Sequence, residues 1–319
     1  MRVLARALEF CARHGRWGLV VGLVIGLAFP TLAQAMRPYL PQMVACLLGI
    51  TAFRIGYRAS VGQIAAGPRV LGEVLALQLA LPLVGLGAIS LLGLQGTLGG
   101  LAIVLMLCAP AISGSANFAV LLGHAPAPAL QILVLGTALF PATALPVLLL
   151  LGPALGEVGT ILWTSLRLTA VILGATGLGC AARALFLPNP TPAQVMRLDG
   201  LGVVALGVIV VGLMAGIAPV MESAPLALLG WLALVFGANF GLQIVAYSAL
   251  SRRVPSERHA AVSLISGNRN VALYLLALPP EIVDPLLPFI GCYQLPMYLT
   301  PLFMRWLYRP KAPDPPRVG

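Results

Sequence analysis

The sequence predicts an all-α polytopic membrane protein: ten transmembrane helices in a 5+5 inverted repeat, with helices 4 and 9 broken and crossing. Three observations lead there. Of the 319 residues, 60% are hydrophobic and only 9% charged, and the mean hydropathy of +0.99 lies far outside the range of soluble domains. The signature Ile112-Ser113-Gly114-Ser115-Ala116-Asn117 recurs 153 residues later as Ile265-Ser266-Gly267-Asn268-Arg269-Asn270, four of six positions being identical. Pro141 and Pro146 recur 155 residues on, as Pro296 and Pro301.

A helix needs roughly 20 mostly apolar residues to cross a bilayer, and the stretches that satisfy this can be taken in order. Trp17 to Ala35 is the first. Its basic prelude and its Ala33-Gln34-Ala35 ending mimic a cleaved leader, but the apolar run is long for one and the charge pattern works with the helix retained. Tyr39 to Tyr57 and Val70 to Leu92 follow. The fourth, Leu98 to Leu122, holds the first signature; Pro110 removes a backbone donor one turn upstream of it and Gly114 weakens the helix further. The fifth, Ala127 to Leu151, carries Pro141 and Pro146. Val158 to Ala182, Leu198 to Ala218 and Ala224 to Leu250 come next. The ninth, Ala260 to Leu278, holds the second signature, and the tenth, Leu286 to Tyr308, holds Pro296 and Pro301. Period-two alternation is absent, so helices rather than a barrel fill the membrane.

Sidedness follows from the basic residues. Sixteen of nineteen fall on one side of the ten-helix plan, Arg37 on the other, and Arg167 and Arg269 inside helices. Both termini are therefore expected in the cytoplasm, with residues 1–16 as the N-terminal segment and 309–319 as a basic, Pro-rich tail. The repeats cover 17–151 and 152–308. Five crossings insert the second half upside down relative to the first, the arrangement on which many secondary transporters are built. The net charge of +10 then reports sidedness rather than nucleic-acid binding, since no basic face is interleaved with exposed aromatics. The partner is the lipid bilayer. Cys11, Cys46, Cys108, Cys180 and Cys292 lack paired spacing and read as small apolar residues, not as metal ligands or disulfides.

Polar residues inside apolar stretches locate the site. Of five asparagines, four lie in such stretches: Asn117, Asn239, Asn268 and Asn270. Buried amides require partners, and the three in the signatures are assigned to the site together with Ser266 and Gly267, while Asn239 serves equally well as a helix-joining group. Arg269 is the sharpest residue. Its guanidinium stays charged, placing it mid-membrane costs at least roughly 2.5–3.5 kcal/mol, and none of the nine acidic residues falls in the middle of a helix. An anionic ligand held by Arg269 and by half-helix ends is the expected counter-charge. Arg167, toward the outer end of its helix, is expected to snorkel.

These features resemble the bile acid:sodium symporter family and its superfamily. The likeness rests on the ten-helix plan, the Pro-then-Gly-Ser-Ala-Asn fourth helix, the Ser-Gly-Asn-Arg-Asn ninth helix and the Pro-containing fifth helix. The resemblance implies a core of helices 3–5 and 8–10 moving against a panel of helices 1, 2, 6 and 7. It also implies a small organic anion as substrate, symport with Na+ and an inner (plasma) membrane of the bacterial type, with no resident cofactor. Carried over, the ion-binding candidates are Ser113, Ser115 and Asn117, then Gln131 and Thr137 in the fifth helix, and Gln78, four residues before Pro82. The family's ninth-helix glutamate and glutamine fall on Ile265 and Arg269, so the sodium site is degraded and Arg269 stands where a cation would. A sodium-independent carrier or exporter is the alternative within the same reading.

Other classes fit less. An arsenite-type carrier would have a cysteine just after the fourth-helix proline, whereas Cys108 precedes Pro110. A membrane-embedded enzyme would need a catalytic constellation, yet His14, His124 and His259 lie at segment ends or in loops and neither His-Glu-x-x-His nor Gly-x-Ser-x-Gly occurs. A non-transporting sensor or scaffold stays open.

Overall fold

A computed structural model describes residues 2–57, 67–152, 155–250 and 256–309. It is a helical membrane protein. Among the described residues, six helices are individually long and apolar enough to cross a bilayer; Leu98–Cys108 is apolar but shorter, and the 24-residue helix Pro280–Phe303 carries four internal prolines.

We label the helices α1 (Arg2–Arg13), α2 (Gly15–Ala28), α3 (Pro30–Ile55, with a 3-10 turn at Arg37–Tyr39), α4 (Pro68–Leu91), α5 (Leu98–Cys108), α6 (Ser115–Leu121), α7 (Pro126–Leu151), α8 (Val158–Phe186), α9 (Pro192–Leu213), α10 (Pro225–Leu250), α11 (Ser256–Gly267) and α12 (Pro280–Phe303); Val271–Leu276 is a 3-10 segment.

Two expectations are corrected here, for the first and the ninth stretches. The first stretch is not one helix but breaks at Phe29, whose ψ is 71°, because Pro30 drives its predecessor out of the helical region. Residues 2–13 of the expected N-terminal segment are helical. They pack along α9, with Gly200 letting the Leu8 backbone come close and Glu9 accepting from Arg197 at 2.8 Å, while Val3, Leu4 and Phe10 face outward. The ninth helix starts at Ser256 rather than Ala260 and runs to Gly267, so the first three residues of the second signature end the helix, whereas the 11-residue α5 ends before the first signature begins. The expected tail lies outside the described residues beyond Arg309.

Packing divides by helix. α8 packs on α3, and α2 and α3 pack on α9; α11 and α12 both pack on α10; and α7 lies against α8 as well as against α11 and α4. Small residues set the first group: Gly22 sits on the backbone of Gly207, and Gly179 on that of Gly49. Such close approach is how helices associate where lipid is as apolar as the side chains. At the end of α3, Gly56 turns the chain at φ +79°, and Arg183 of α8 donates to the carbonyls of Phe53 and Arg54 at 2.9 and 3.1 Å, which satisfies carbonyls that have no intrahelical donor.

Candidate functional site

Both signatures interrupt their helices. α5 ends at Cys108 and the chain leaves helical geometry at Ala109 (ψ 146°), resuming at Ser115; α11 ends at Gly267, and a 3-10 turn resumes at Val271. The two unwound segments meet each other. Asn270 donates to the Pro110 carbonyl at 2.8 Å and Ile112 to that of Asn268 at 3.2 Å, forming an antiparallel bridge between Ala111 and Arg269. Backbone outside helices is tolerated at membrane depth only where its polar groups find partners, and here each segment supplies the other's.

Arg269 lies beneath this bridge, 1% exposed. Its Nε donates to the Ser266 carbonyl at 3.0 Å, Nη1 to Ala109 at 3.1 Å and Nη2 to Leu77 at 3.0 Å. Each carbonyl is free for a reason visible in the chain. The donor that would close a helical turn on Ser266 is the Asn270 N–H, which goes to Pro110 instead. Ala109 is the residue at which α5 stops. Leu77 lies in a π turn, Ala76–Ala80, in which Leu81 N–H bonds Ala76, so the next donor in the register is Pro82, which has none. The guanidinium thus closes three carbonyls at once, two of them at C-terminal half-helix ends whose dipoles are negative. At roughly 1.5 kcal/mol or more for each charge-assisted bond, this set offsets the cost of placing the charge in the membrane. Among the described residues no carboxylate pairs with it.

Asn268 and Asn239 face away from the bridge and are fully buried. Asn239 Nδ2 donates to the Gly267 carbonyl and its Oδ1 accepts from Gln243 Nε2 at 2.7 Å. Asn268 Nδ2 donates to Leu264 at 2.8 Å, and its Oδ1 accepts from Thr300 at 3.1 Å. Tyr308 closes the set by donating to Gln243 Oε1 at 3.0 Å, and the Tyr293 hydroxyl donates to the Gly267 carbonyl while accepting from the Arg269 N–H at 3.3 Å. Ser266 is turned back onto Ser263, its hydroxyl donating to that carbonyl at 2.7 Å. These groups hold the second interruption in shape.

Asn117 and Asn270 are placed differently. Together with Ser113, Gly114, Arg54 and Asp199 they line a cavity of about 110 Å³ between the unwound segments on one side and α3 and α9 on the other, on which Arg269 also abuts. A second cavity, about 360 Å³, lies on the other flank of α3 and shares Thr51, Ser113 and Asn270; Thr137 lines it.

The remaining ion-binding candidates are not gathered at one point. Gln78 is buried against Gly136 and accepts from Thr143 at 3.1 Å. Gln131 accepts from Arg258 Nη1 at 2.8 Å, beside the Arg258–Glu73 pair. Ser115 is fully buried, its hydroxyl without a hydrogen-bond partner among the described residues.

No protein-family model and no curated protein matches this chain. The resemblance to bile acid:sodium symporters therefore rests on the motifs quoted above.

Two features escaped the sequence reading. Gln243 follows Asn239 by four residues, a same-face spacing inside an apolar helix that signals a buried pair. Arg54, near the end of the second apolar stretch, and Asp199, at the start of the seventh, pair across the cavity.

Proposed function

We propose that the protein is a secondary carrier for a small organic anion, working by alternating access without sodium. The observation that carries this reading is the seat of Arg269, a guanidinium in a cage of backbone carbonyls where two interrupted helices pair. Carbonyl cages at unwound helix ends are where secondary transporters place coupling cations. A permanent charge occupying such a cage supplies what a bound cation would, so nothing needs to bind there for the centre to be positive.

The other parts of the reading are proposed with it. Ten membrane segments form the 5+5 inverted repeat, both termini are cytoplasmic, and the panel (α2, α3, α8, α9) rocks against the rest. The cavity lies along that division, which supports its use as the transport route. Asn117 and Asn270 meet the substrate; Asn268, Ser266 and Gly267 shape the backbone that presents them.

Concentration-jump current recording on protein-containing membranes tests the proposal. A panel of short carboxylates should include at least one that moves charge, with equal amplitude in sodium and in potassium. Currents that require sodium, or none from any anion, would contradict it.

A further inference from the structure

We propose that Arg54 is the residue that holds the substrate's carboxylate, and that Asp199 occupies that carboxylate's place while the cavity is empty of substrate. This rests on the anion-carrier reading above and assigns its recognition chemistry to a different arginine from the one in the signature.

The two arginines on the cavity are not equivalent. Arg269 is committed to three carbonyls and almost wholly buried, so it contributes charge but little reach. Arg54 donates from its guanidinium to no backbone carbonyl among the described residues, while its own carbonyl accepts from Arg183. Its side chain, 24% exposed, pairs through Nε with Asp199 of α9, likewise 24% exposed, and extends Nη2 to Asn117 Oδ1 at a long 3.3 Å. A single guanidinium thus bridges α3, α9 and the first residues after the fourth-helix interruption. Its Nη edge, the one suited to a bidentate carboxylate, is engaged among the described residues only by that weak amide contact.

Charge and shape agree. The cavity wall carries Arg54, Arg269 and Asp199 as its formal charges, two positive and one negative, so one bound monoanion brings it to neutrality. The rest is largely apolar, with Val44, Leu206 and Ile209 among the lining residues. A carboxylate on a short apolar stem fits both. Arg54 would exchange Asp199 for the incoming group, and because the pair ties α3 and α9 to Asn117, that exchange loosens one end of the cavity as substrate arrives.

Butyrate is a suitable probe, with butyramide as its uncharged counterpart, and thermal stabilisation of the purified protein gives the affinity. Asp199→Asn removes the internal competitor and should bind butyrate about tenfold more tightly than the parent. Arg54→Gln in the Asp199→Asn background should abolish the effect, and Arg54→Lys, which keeps the charge and serves as the check against misfolding, should retain part of it. Butyrate affinity unchanged or weakened in Asp199→Asn, affinity persisting without Arg54, or equal stabilisation by butyramide would each overturn the proposal. Failure of the carrier reading looks different: no anion moves charge in the current assay, although butyrate still binds Asp199→Asn through Arg54.

Discussion

Replacing Arg269 with alanine should lower the melting temperature on the order of 10 °C, with partial recovery on adding millimolar guanidinium. The variant leaves the carbonyls of Leu77, Ala109 and Ser266 facing a void. Each buried acceptor so orphaned costs roughly 1–3 kcal/mol, to which the lost volume adds. Guanidinium is ordinarily a denaturant, so stabilisation of the variant at concentrations that leave the parent unaffected would mark a cage refilled by the group it was built around. Transport should be lost with the side chain. An Arg269→Ala protein that melts with the parent would show that the interrupted helices are held by the Asn239–Asn268–Thr300 network alone.

The two signature glycines should differ sharply. A Cβ on Gly267 would lie well inside contact distance of the Asn239 carbonyl oxygen and would also press on Gln243. The obstacle is backbone of α10, which cannot turn aside as a flexible side chain can, so Gly267→Ala is expected to destabilise by about 3 kcal/mol. At Gly114 the nearest atoms to an added Cβ are side-chain carbons at 3.7 Å and φ is −86°, a conformation open to any residue. Gly114→Ala should change stability by less than about 0.5 kcal/mol. Parallel melting curves of the two variants read this directly; equal effects would mean that the signatures play the same structural part.

The membrane character and the interruptions at the two signatures were legible in the chain, because hydropathy and the Pro, Gly and Asn placements act locally; the break at Phe29 was not. Nor was the compensation of Arg269. It comes from backbone carbonyls, which every residue has, and they are free because α5 stops at Ala109, because Pro82 cannot donate and because Asn270 donates to Pro110. An absent carboxylate pointed to a ligand; broken helix ends answer the same charge. Arg54 and Asp199 illustrate the other limit. Each reads as an edge residue on its own helix, and their pairing exists only once α3 and α9 are side by side. The helix at Arg2–Arg13 was hidden by its arginines, although Leu4, Leu8 and Cys11 already follow helical spacing.

In the proposed anion carrier a fixed guanidinium stands in for a bound cation. The thermal stability of the purified protein in sodium against potassium at matched ionic strength, with and without a panel of small carboxylates, tests it most directly. The melting temperature should be the same in the two salts and should rise with at least one carboxylate in either. Stabilisation by sodium over potassium would contradict the claim, placing a working cation site in a protein whose carbonyl cage is already filled.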